Sequence, residues 1–191
     1  MKKRTKHLDV LYYVSIATII VSTVFVFCSC MPEIAKYDLN GICILMESTI
    51  GKDRNEAEGL LEGFFNSELQ TYDIDSNNET NECTYDYKIK ESIIVDGMII
   101  DNIVIVCDDN DGQVLSLAIF LKNTDSVEKE FCYHNYCSFL DETYDLIECI
   151  DLGDDYHINR YRTNNNSVFS ISIVDDSSGS GFWLKCSNAD E

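Results

Sequence analysis

The chain is short of positive charge, proline and histidine. Its 191 residues include 14 Lys and Arg against 34 Asp and Glu, with one proline and three histidines. Four of the basic residues lie within the first six positions, so residues 30–191 carry 10 basic and 33 acidic side chains, a net charge of −23. A surface this acidic repels nucleic acid and anionic headgroups, which excludes nucleic-acid binding. A cationic partner or a metal remains open, and solubility alone is the simplest explanation.

The scarcity of histidine also limits the chemistry, because only His134 and His157 follow the first thirty residues. Ser177-Ser-Gly-Ser-Gly181 lacks the strand-to-helix context of a nucleophile elbow. His134 and Cys137 have helical spacing, but no Cys-x-x-Cys or His-x-x-x-His supplies the remaining ligands of a zinc site. The sequence therefore predicts no catalytic residue, no metal site and no cofactor. An enzyme would need a histidine or a carboxylate pair to converge in a pocket.

What the chain does contain begins with an export signal. Met1-Lys-Lys-Arg-Thr-Lys6 is a basic cluster, and residues 10–28 are apolar apart from scattered Ser and Thr. Such a cluster stays on the cytoplasmic side while the apolar run enters the bilayer. A run of about 19 residues just reaches the length that spans a membrane, so an uncleaved anchor helix is one alternative.

The end of the apolar run favours lipidation instead. Phe27-Cys28-Ser29-Cys30 resembles the lipobox of bacterial lipoproteins, in which a small residue precedes the cysteine that receives the lipid. Ser29 fits this pattern, whereas Cys28 replaces the more usual small aliphatic or hydroxyl residue. The resemblance implies a signal peptide at residues 1–29, a lipid on Cys30, and a protein held at the membrane of the cell envelope on its extracytoplasmic side.

Seven cysteines follow Cys30, and an odd number at irregular spacing cannot all pair. Cys107 and Cys186 lie in apolar, strand-like patterns, as small buried hydrophobic residues do. We therefore predict no disulfide framework. The seven are Cys43, Cys83, Cys107, Cys132, Cys137, Cys149 and Cys186.

Periodicity divides the rest of the chain into a tether at residues 30–40 and a single domain at residues 41–191. Residues 42–46 are predicted to form a strand or a segment packed against the core. Asp53 and Glu56 have the spacing of a capping box, and apolar residues at helical spacing follow them. A second helix is predicted from Asp125 or Ser126 to Tyr144 by the same rules. Residues 73–82 are acidic and nearly free of apolar side chains, which predicts an exposed loop.

Strands are predicted at the alternating or continuously apolar segments. Asp108-Asp-Asn-Asp-Gly112 is interpreted as a hairpin turn, because its spacing does not match a calcium loop. The segregated order of helices and strands predicts an α+β domain, a mainly antiparallel sheet with two helices packed on one face. The predicted strands are residues 85–90, 103–107, 114–121, 157–161, 169–173 and 182–186.

Ile50-Gly-Lys-Asp-Arg-Asn-Glu-Ala-Glu-Gly-Leu-Leu61, followed by a strand meander, resembles the helix-then-meander unit of small bacterial envelope lipoproteins and β-lactamase-inhibitor-like domains. Residues 131–144 and the strands ending near Trp183 would then be a second helix-then-meander half. The chain lacks the Gly-x-Pro that commonly follows the helix in those families. The resemblance implies a fold and transfers no functional residue.

Two functions fit these observations. The first is a membrane-tethered binding or envelope-associated module. The second is an acidic inhibitor or immunity-type protein that binds a cationic protein, because acidic charge steers a basic partner and exposed tyrosines anchor it. The tyrosines predicted to be exposed are Tyr133, Tyr136, Tyr156 and Tyr161.

Overall fold

The computed structural model describes residues 36–77, 80–122, 126–151, 157–176 and 179–189. The predicted signal peptide, Cys30 and Tyr156 lie outside these residues. The described residues form three helices, α1 (Leu39–Thr49), α2 (Arg54–Phe65) and α3 (Ser126–Thr143). They also form ten strands: β1 (Lys36–Tyr37), β2 (Leu69–Asn77), β3 (Glu82–Ile89), β4 (Ile94–Val95), β5 (Met98–Asp108), β6 (Val114–Lys122), β7 (Asp145–Asp151), β8 (His157–Arg162), β9 (Ser167–Asp176) and β10 (Gly179–Asn188).

Both predicted helices are present, and a third precedes them. Helix α2 begins after Asp53, whose side chain accepts a hydrogen bond from the Asn55 amide at 2.9 Å. Of the two alternatives predicted for residues 42–46, the strand is wrong because this segment lies in α1, and packing against the core is confirmed by its buried side chains. Asp38 caps α1 by accepting a hydrogen bond from the Gly41 amide at 2.7 Å. The buried residues of α1 follow helical spacing, at Leu39, Ile42, Cys43 and Met46.

Secondary structure begins at Lys36, inside the segment for which the sequence predicts a tether. Strand β1 pairs in parallel with β4, with Lys36 opposite Ile94 and Tyr37 opposite Val95. The Tyr37 hydroxyl donates a hydrogen bond to the Phe65 carbonyl at 3.1 Å. These contacts connect the start of the described chain to the sheet and to the end of α2.

The sheet combines two antiparallel meanders. Strands β2, β3, β5 and β6 form the first, and β7, β8, β9 and β10 form the second. The two meet where β10 pairs antiparallel with β6, with Trp183 opposite Phe120. Strand β4 pairs with the first residues of β5. The prediction of an α+β domain with a mainly antiparallel sheet is therefore confirmed, and three helices accompany the sheet rather than two.

The sequence pattern does not reveal two of the edge strands, β2 and β7. The loop predicted at residues 73–82 is wrong for residues 73–77, which belong to β2 and pair with β3, although these residues are exposed as predicted and residues 80–81 form a turn. Strand β7, at the other edge, was not predicted at all. Residues 145–149 of β7 are all exposed, and Asp73 and Asp75 of β2 are exposed as well. Because successive side chains of these segments are exposed on both faces, backbone pairing holds the strands without an alternating apolar pattern.

The core contains side chains from all three helices and from alternate positions of the strands. In α3 the buried positions are Cys132, Tyr133, Tyr136, Cys137 and Leu140. The rings of Tyr133 and Tyr136 contact Phe182 of β10, at centroid distances of 5.9 and 4.9 Å.

This packing contradicts the predicted exposure of three tyrosines, since Tyr133, Tyr136 and Tyr161 are all buried. The Tyr136 hydroxyl donates a hydrogen bond to the Val95 carbonyl at 2.8 Å. A buried tyrosine of this kind supplies apolar area along its ring and satisfies its hydroxyl at the far end. These rings therefore hold the fold together and present no surface to a partner.

Candidate functional site

Strand geometry assigns each strand residue to one of two faces of the sheet, because successive side chains point in opposite directions. In β10, the core contains Phe182, Leu184 and Cys186, so Trp183 and Lys185 point the other way. We call the strand positions that alternate with core positions the opposite face. Its members include Asp73, Asp75, Glu82, Asp86, Val104, Ala118, Phe120, Val168, Ser170, Ser172, Ile158, Arg160, Arg162, Trp183, Lys185 and Ser187.

An aromatic pair occupies the middle of the opposite face. Phe120 and Trp183 are directly opposite each other on β6 and β10, with ring centroids 5.1 Å apart and tilted by 42°. Phe120 is only 6% exposed, yet it lies outside the main hydrophobic core cluster. Trp183 is half-buried and is the only tryptophan of the chain. The largest aromatic side chain therefore lies on the face that the core does not use.

Gly181 makes room for this pair. A Cβ at position 181 would lie 2.5 Å from the Leu121 carbonyl oxygen and 2.7 Å from Cζ of Phe120. Both distances are shorter than any normal van der Waals contact. The absence of a side chain at Gly181 thus lets the Phe120 ring lie across β10 beside Trp183.

Basic side chains lie to one side of the aromatic pair. The register places Lys185 of β10 opposite Ser170 of β9, and Ser170 opposite Arg160 of β8. Ser170 and Ser187 have short side chains, whereas Lys185 and Arg160 have long ones. The difference in length leaves a depression of about 330 Å³. Its lining is completed by Ile150, Ile158 and Val168.

The charges around this depression are only partly neutralised. Arg160 forms an ion pair with Glu148, with Nη1 3.1 Å from Oε2, at a partly exposed site. Lys185 and Arg162 are exposed, and neither forms an ion pair with another residue in the described part of the chain. This end of the opposite face is therefore locally basic although the domain as a whole is strongly acidic.

Acidic side chains lie at the other end of the same face. Asp73 of β2 lies directly opposite Asp86 of β3, and Asp75 lies on the same side of β2. Like charges directly opposite each other on a sheet disfavour pairing, so a cation or a basic side chain placed there would be stabilising. Asn102 donates a hydrogen bond to the Asp86 carboxylate at 3.4 Å.

One row of the sheet therefore changes charge sign along its length. Asp86 is followed on successive strands by Val104, Ala118 and Lys185. Three strand spacings of about 4.8 Å separate the acidic residue from the basic one, a distance of about 14 Å. The opposite face thus has an acidic end, an aromatic and apolar centre, and a basic end.

A second depression, of about 220 Å³, lies at the start of α2. It is lined by Asp53, Arg54, Cys83, Tyr85 and Cys107, among others. The Arg54 guanidinium lies 4.3 Å from the centroid of the Tyr85 ring. Burial raises the pKa of the Cys107 thiol to about 11, and the nearby Arg54 charge opposes that rise.

The acidic run beside this depression is a hairpin turn, as predicted. The Asp108 carboxylate accepts a hydrogen bond from the Asn110 amide at 2.7 Å, and Gly112 has a φ of 72°. That value lies in the left-handed region, which glycine adopts without strain. The turn connects β5 to β6 and brings Asp108 to the rim of the second depression.

The structure separates the other residues that the sequence singled out. Cys137 is buried and accepts a weak hydrogen bond from Asn159, with Nδ2 3.6 Å from Sγ, whereas His134 is exposed. His157 lies on β8 and lines neither depression. Within residues 36–77, 80–122, 126–151, 157–176 and 179–189, no group of three or more His, Cys, Asp or Glu could hold a metal ion.

No protein-family model, curated protein or solved structure matches this chain. The resemblance to envelope lipoproteins and β-lactamase-inhibitor-like domains therefore remains a hypothesis from the sequence pattern. Over the described part of the chain, no helix has the length and apolar character needed to cross a bilayer.

Proposed function

We propose that this protein is a binding module of the cell envelope and that the opposite face of its sheet is the surface that binds a partner protein. The observation that carries the proposal is the Phe120–Trp183 pair in the middle of that face. Tryptophan is the residue type most enriched among the side chains that dominate binding energy, especially near the centre of an interface. Trp183 is half-buried and lies outside the core cluster, so its remaining surface is available to a partner.

The arrangement of the elements supports this proposal. Each of the helices α1, α2 and α3 contributes residues to the core cluster. The opposite-face residues Phe120 and Trp183 lie outside it. We infer that the three helices pack on one face and that each meander, with the helices before it, forms one helix-then-meander half. The two halves would then build one continuous sheet whose other face is left for recognition.

The charge pattern defines the chemistry of the partner. An acidic end at Asp73 and Asp86 would attract basic side chains, and a basic end at Lys185 and Arg162 would attract carboxylates. A purely cationic partner, which net charge alone favours, would be repelled by the basic end. We expect a protein that places an apolar segment against Trp183 and groups of opposite sign on either side of it.

An inhibitor or immunity-type role is the second candidate. It differs from a general envelope module in one respect, because the bound partner would lose an activity. The acidic end of the opposite face supports this candidate, since a basic active-site rim would fit against it. The same binding surface serves both roles, so one experiment tests both.

We propose further that a lipid on Cys30 holds the domain at the membrane. The lipobox-like Phe27-Cys28-Ser29-Cys30 carries this proposal. The intact mass of the protein from the membrane fraction should correspond to a chain that begins at Cys30 with attached acyl groups, and Cys30→Ala should abolish that species. Unmodified full-length chain in the membrane fraction would show instead that residues 10–28 remain as an anchor.

Site-specific photo-crosslinking, carried out in the cells that express the protein, tests whether the opposite face binds a partner. A photoreactive residue replaces Ser172, which lies opposite Trp183 on β9, or Glu56, which is exposed on α2. We expect one adduct of defined mass from position 172 and none of that mass from position 56. Trp183→Ala introduced with the position-172 probe should remove the adduct.

Two outcomes would overturn the proposal. The first is an adduct that forms equally from positions 172 and 56, because the partner would then not distinguish the two sides of the domain. The second is an adduct from position 172 that persists unchanged with Trp183→Ala. The identity and activity of the captured partner would separate the inhibitor role from the general module.

A further inference from the structure

Two cysteines face each other across neighbouring strands on the core face of the sheet. Strands β3 and β5 are antiparallel, and their register places Cys83 directly opposite Cys107. Directly opposite residues in an antiparallel pair have Cα atoms about 4.5 to 5.5 Å apart. A disulfide needs Cα atoms about 4.4 to 6.8 Å apart, so the backbone of this pair already satisfies the requirement.

The Cβ atoms need only a small adjustment. Cβ atoms of directly opposite residues lie about 4.5 to 5.5 Å apart, and those of a disulfide about 3.5 to 4.5 Å apart. Both side chains point to the same face, because the core positions of β3 and β5 are aligned in this register. A shift of about 1 Å, shared between two strands, closes the difference.

A shared surface depression distinguishes this pair from the fully buried Cys43 and Cys186. Cys83 is 8% exposed and Cys107 2% exposed, and both line the depression of about 220 Å³ at the start of α2. A small disulfide reagent can therefore reach them from solvent. Cys43 and Cys186, which lie in α1 and β10, are fully buried.

The other cysteines of the described residues lie on helices or opposite a residue of another type. Cys149 is exposed on β7, where the residue directly opposite it on β8 is Asn159. Cys132 and Cys137 lie on one helix, five positions apart. Among the cysteines in the described part of the chain, strand register brings only Cys83 and Cys107 face to face.

We infer that Cys83 and Cys107 are a paired thiol site, which a low-molecular-weight disulfide oxidises to a cross-strand disulfide. The thiolate of Cys83, the more exposed residue, attacks one sulfur of the reagent and releases one thiolate. The thiolate of Cys107 then attacks the Cys83 sulfur of the mixed disulfide and releases the second. The protein loses two electrons and two protons, and the reagent is reduced to two thiols.

The site is independent of the proposed binding function. Cys83 and Cys107 lie on the core face of β3 and β5, whereas Phe120 and Trp183 lie on the opposite face. The disulfide would leave five cysteines reduced, which accounts for the odd number without an intermolecular bond. All seven cysteines of the described residues are free in this structure, so the pair forms its disulfide only under oxidation.

Peptide mapping tests the inference on the full chain purified from membranes in detergent. The folded protein is equilibrated with oxidised glutathione, free thiols are alkylated, and the product is digested with trypsin. Cleavage after Lys and Arg places Cys83 in the peptide 55–88 and Cys107 in the peptide 91–122, each with no other cysteine. We expect these two peptides as one species, two hydrogen atoms lighter than their sum, with their alkylated forms depleted at least tenfold.

Cys83→Ser and Cys149→Ser form a matched pair of variants. The first should abolish the linked species and leave Cys107 alkylated, and the second should leave the link unchanged. The inference fails when both peptides are fully alkylated after oxidation, or when Cys83 and Cys107 are found linked to other cysteines instead. The wild-type map gives this answer by itself, even where Cys83→Ser does not fold.

Discussion

The two faces of strand β10 differ in burial and in chemistry. Phe182 and Leu184 are fully buried, and the Phe182 ring contacts Tyr136 of α3, whereas Trp183 and Lys185, one position later in each case, point to the other side. Because successive side chains of one strand point to opposite faces, the two faces can have different functions. The core face determines stability, and the opposite face carries the aromatic and charged groups that we assign to recognition.

The largest expected effect compares neighbours on β10. Phe182→Ala should lower the free energy of unfolding by about 3 to 5 kcal/mol, because it removes a buried ring that contacts Tyr133 and Tyr136. Trp183→Ala should lower it by less than half as much, since Trp183 is only half-buried. Urea unfolding followed by circular dichroism measures both variants. Equal losses would mean that the two faces do not differ in the way we describe.

The proposed disulfide gives the next largest effect. It would close a loop of 25 residues, from Cys83 to Cys107. Loop-closure entropy predicts that such a crosslink stabilises the folded protein by about 3.5 kcal/mol. The thermal midpoint of the oxidised protein should therefore fall when a reductant is added, and that of Cys83→Ser should not respond. A midpoint that falls equally in both proteins would assign the effect to another cysteine.

The buried tyrosines predict a loss of stability at high pH. Burial raises the pKa of the Tyr136 phenol above its usual value of 10, and nearby acidic groups add to the effect. The folded state therefore holds the proton more tightly than the unfolded state. The stabilisation is complete below pH about 10 and is lost as the pH rises above that value, where the unfolded chain ionises.

Tyr136→Phe isolates this contribution. The variant loses the hydrogen bond to the Val95 carbonyl, which should cost about 1 kcal/mol at neutral pH. Its free energy of unfolding should also fall less steeply above pH 10 than that of the wild-type protein. Identical slopes in the two proteins would show that Tyr136 does not contribute to the alkaline transition.

The smallest effect on stability concerns the basic end of the opposite face. Arg160→Ala removes the ion pair with Glu148, which lies at a partly exposed site. Pairs of this kind contribute at most about 1 kcal/mol, so the free energy of unfolding should change by less than that. A larger loss would place Arg160 among the residues that hold the fold, and would remove it from the surface we assign to binding.

The sequence predicted the elements that carry a strong local pattern. Asp53 with its helical apolar spacing, and the alternating segment at residues 169–173, were both assigned correctly. The edge strands β2 and β7 were missed, because partners along one edge hold them without an apolar stripe. For residues 42–46 the sequence predicts a strand or a segment packed against the core, and it misses the helix because a short apolar run fits either structure.

The candidate site could not be predicted from the sequence, for a different reason. Trp183, Lys185 and Arg160 acquire their relationship from the register of β8, β9 and β10, which no local pattern contains. The basic end was hidden by the acidic composition of the whole domain. The tyrosines on α3 were misassigned as exposed, because the sequence does not show that their side of the helix packs against Phe182.

Calorimetric titration of the partner captured from position 172 tests the central claim most directly. Wild-type protein and Trp183→Ala are titrated with the same purified partner. We predict that Trp183→Ala weakens binding by at least about 30-fold, the loss expected for a central aromatic anchor worth about 2 kcal/mol. Affinities within about twofold of each other, with both proteins folded, would contradict the assignment of the opposite face as the binding surface.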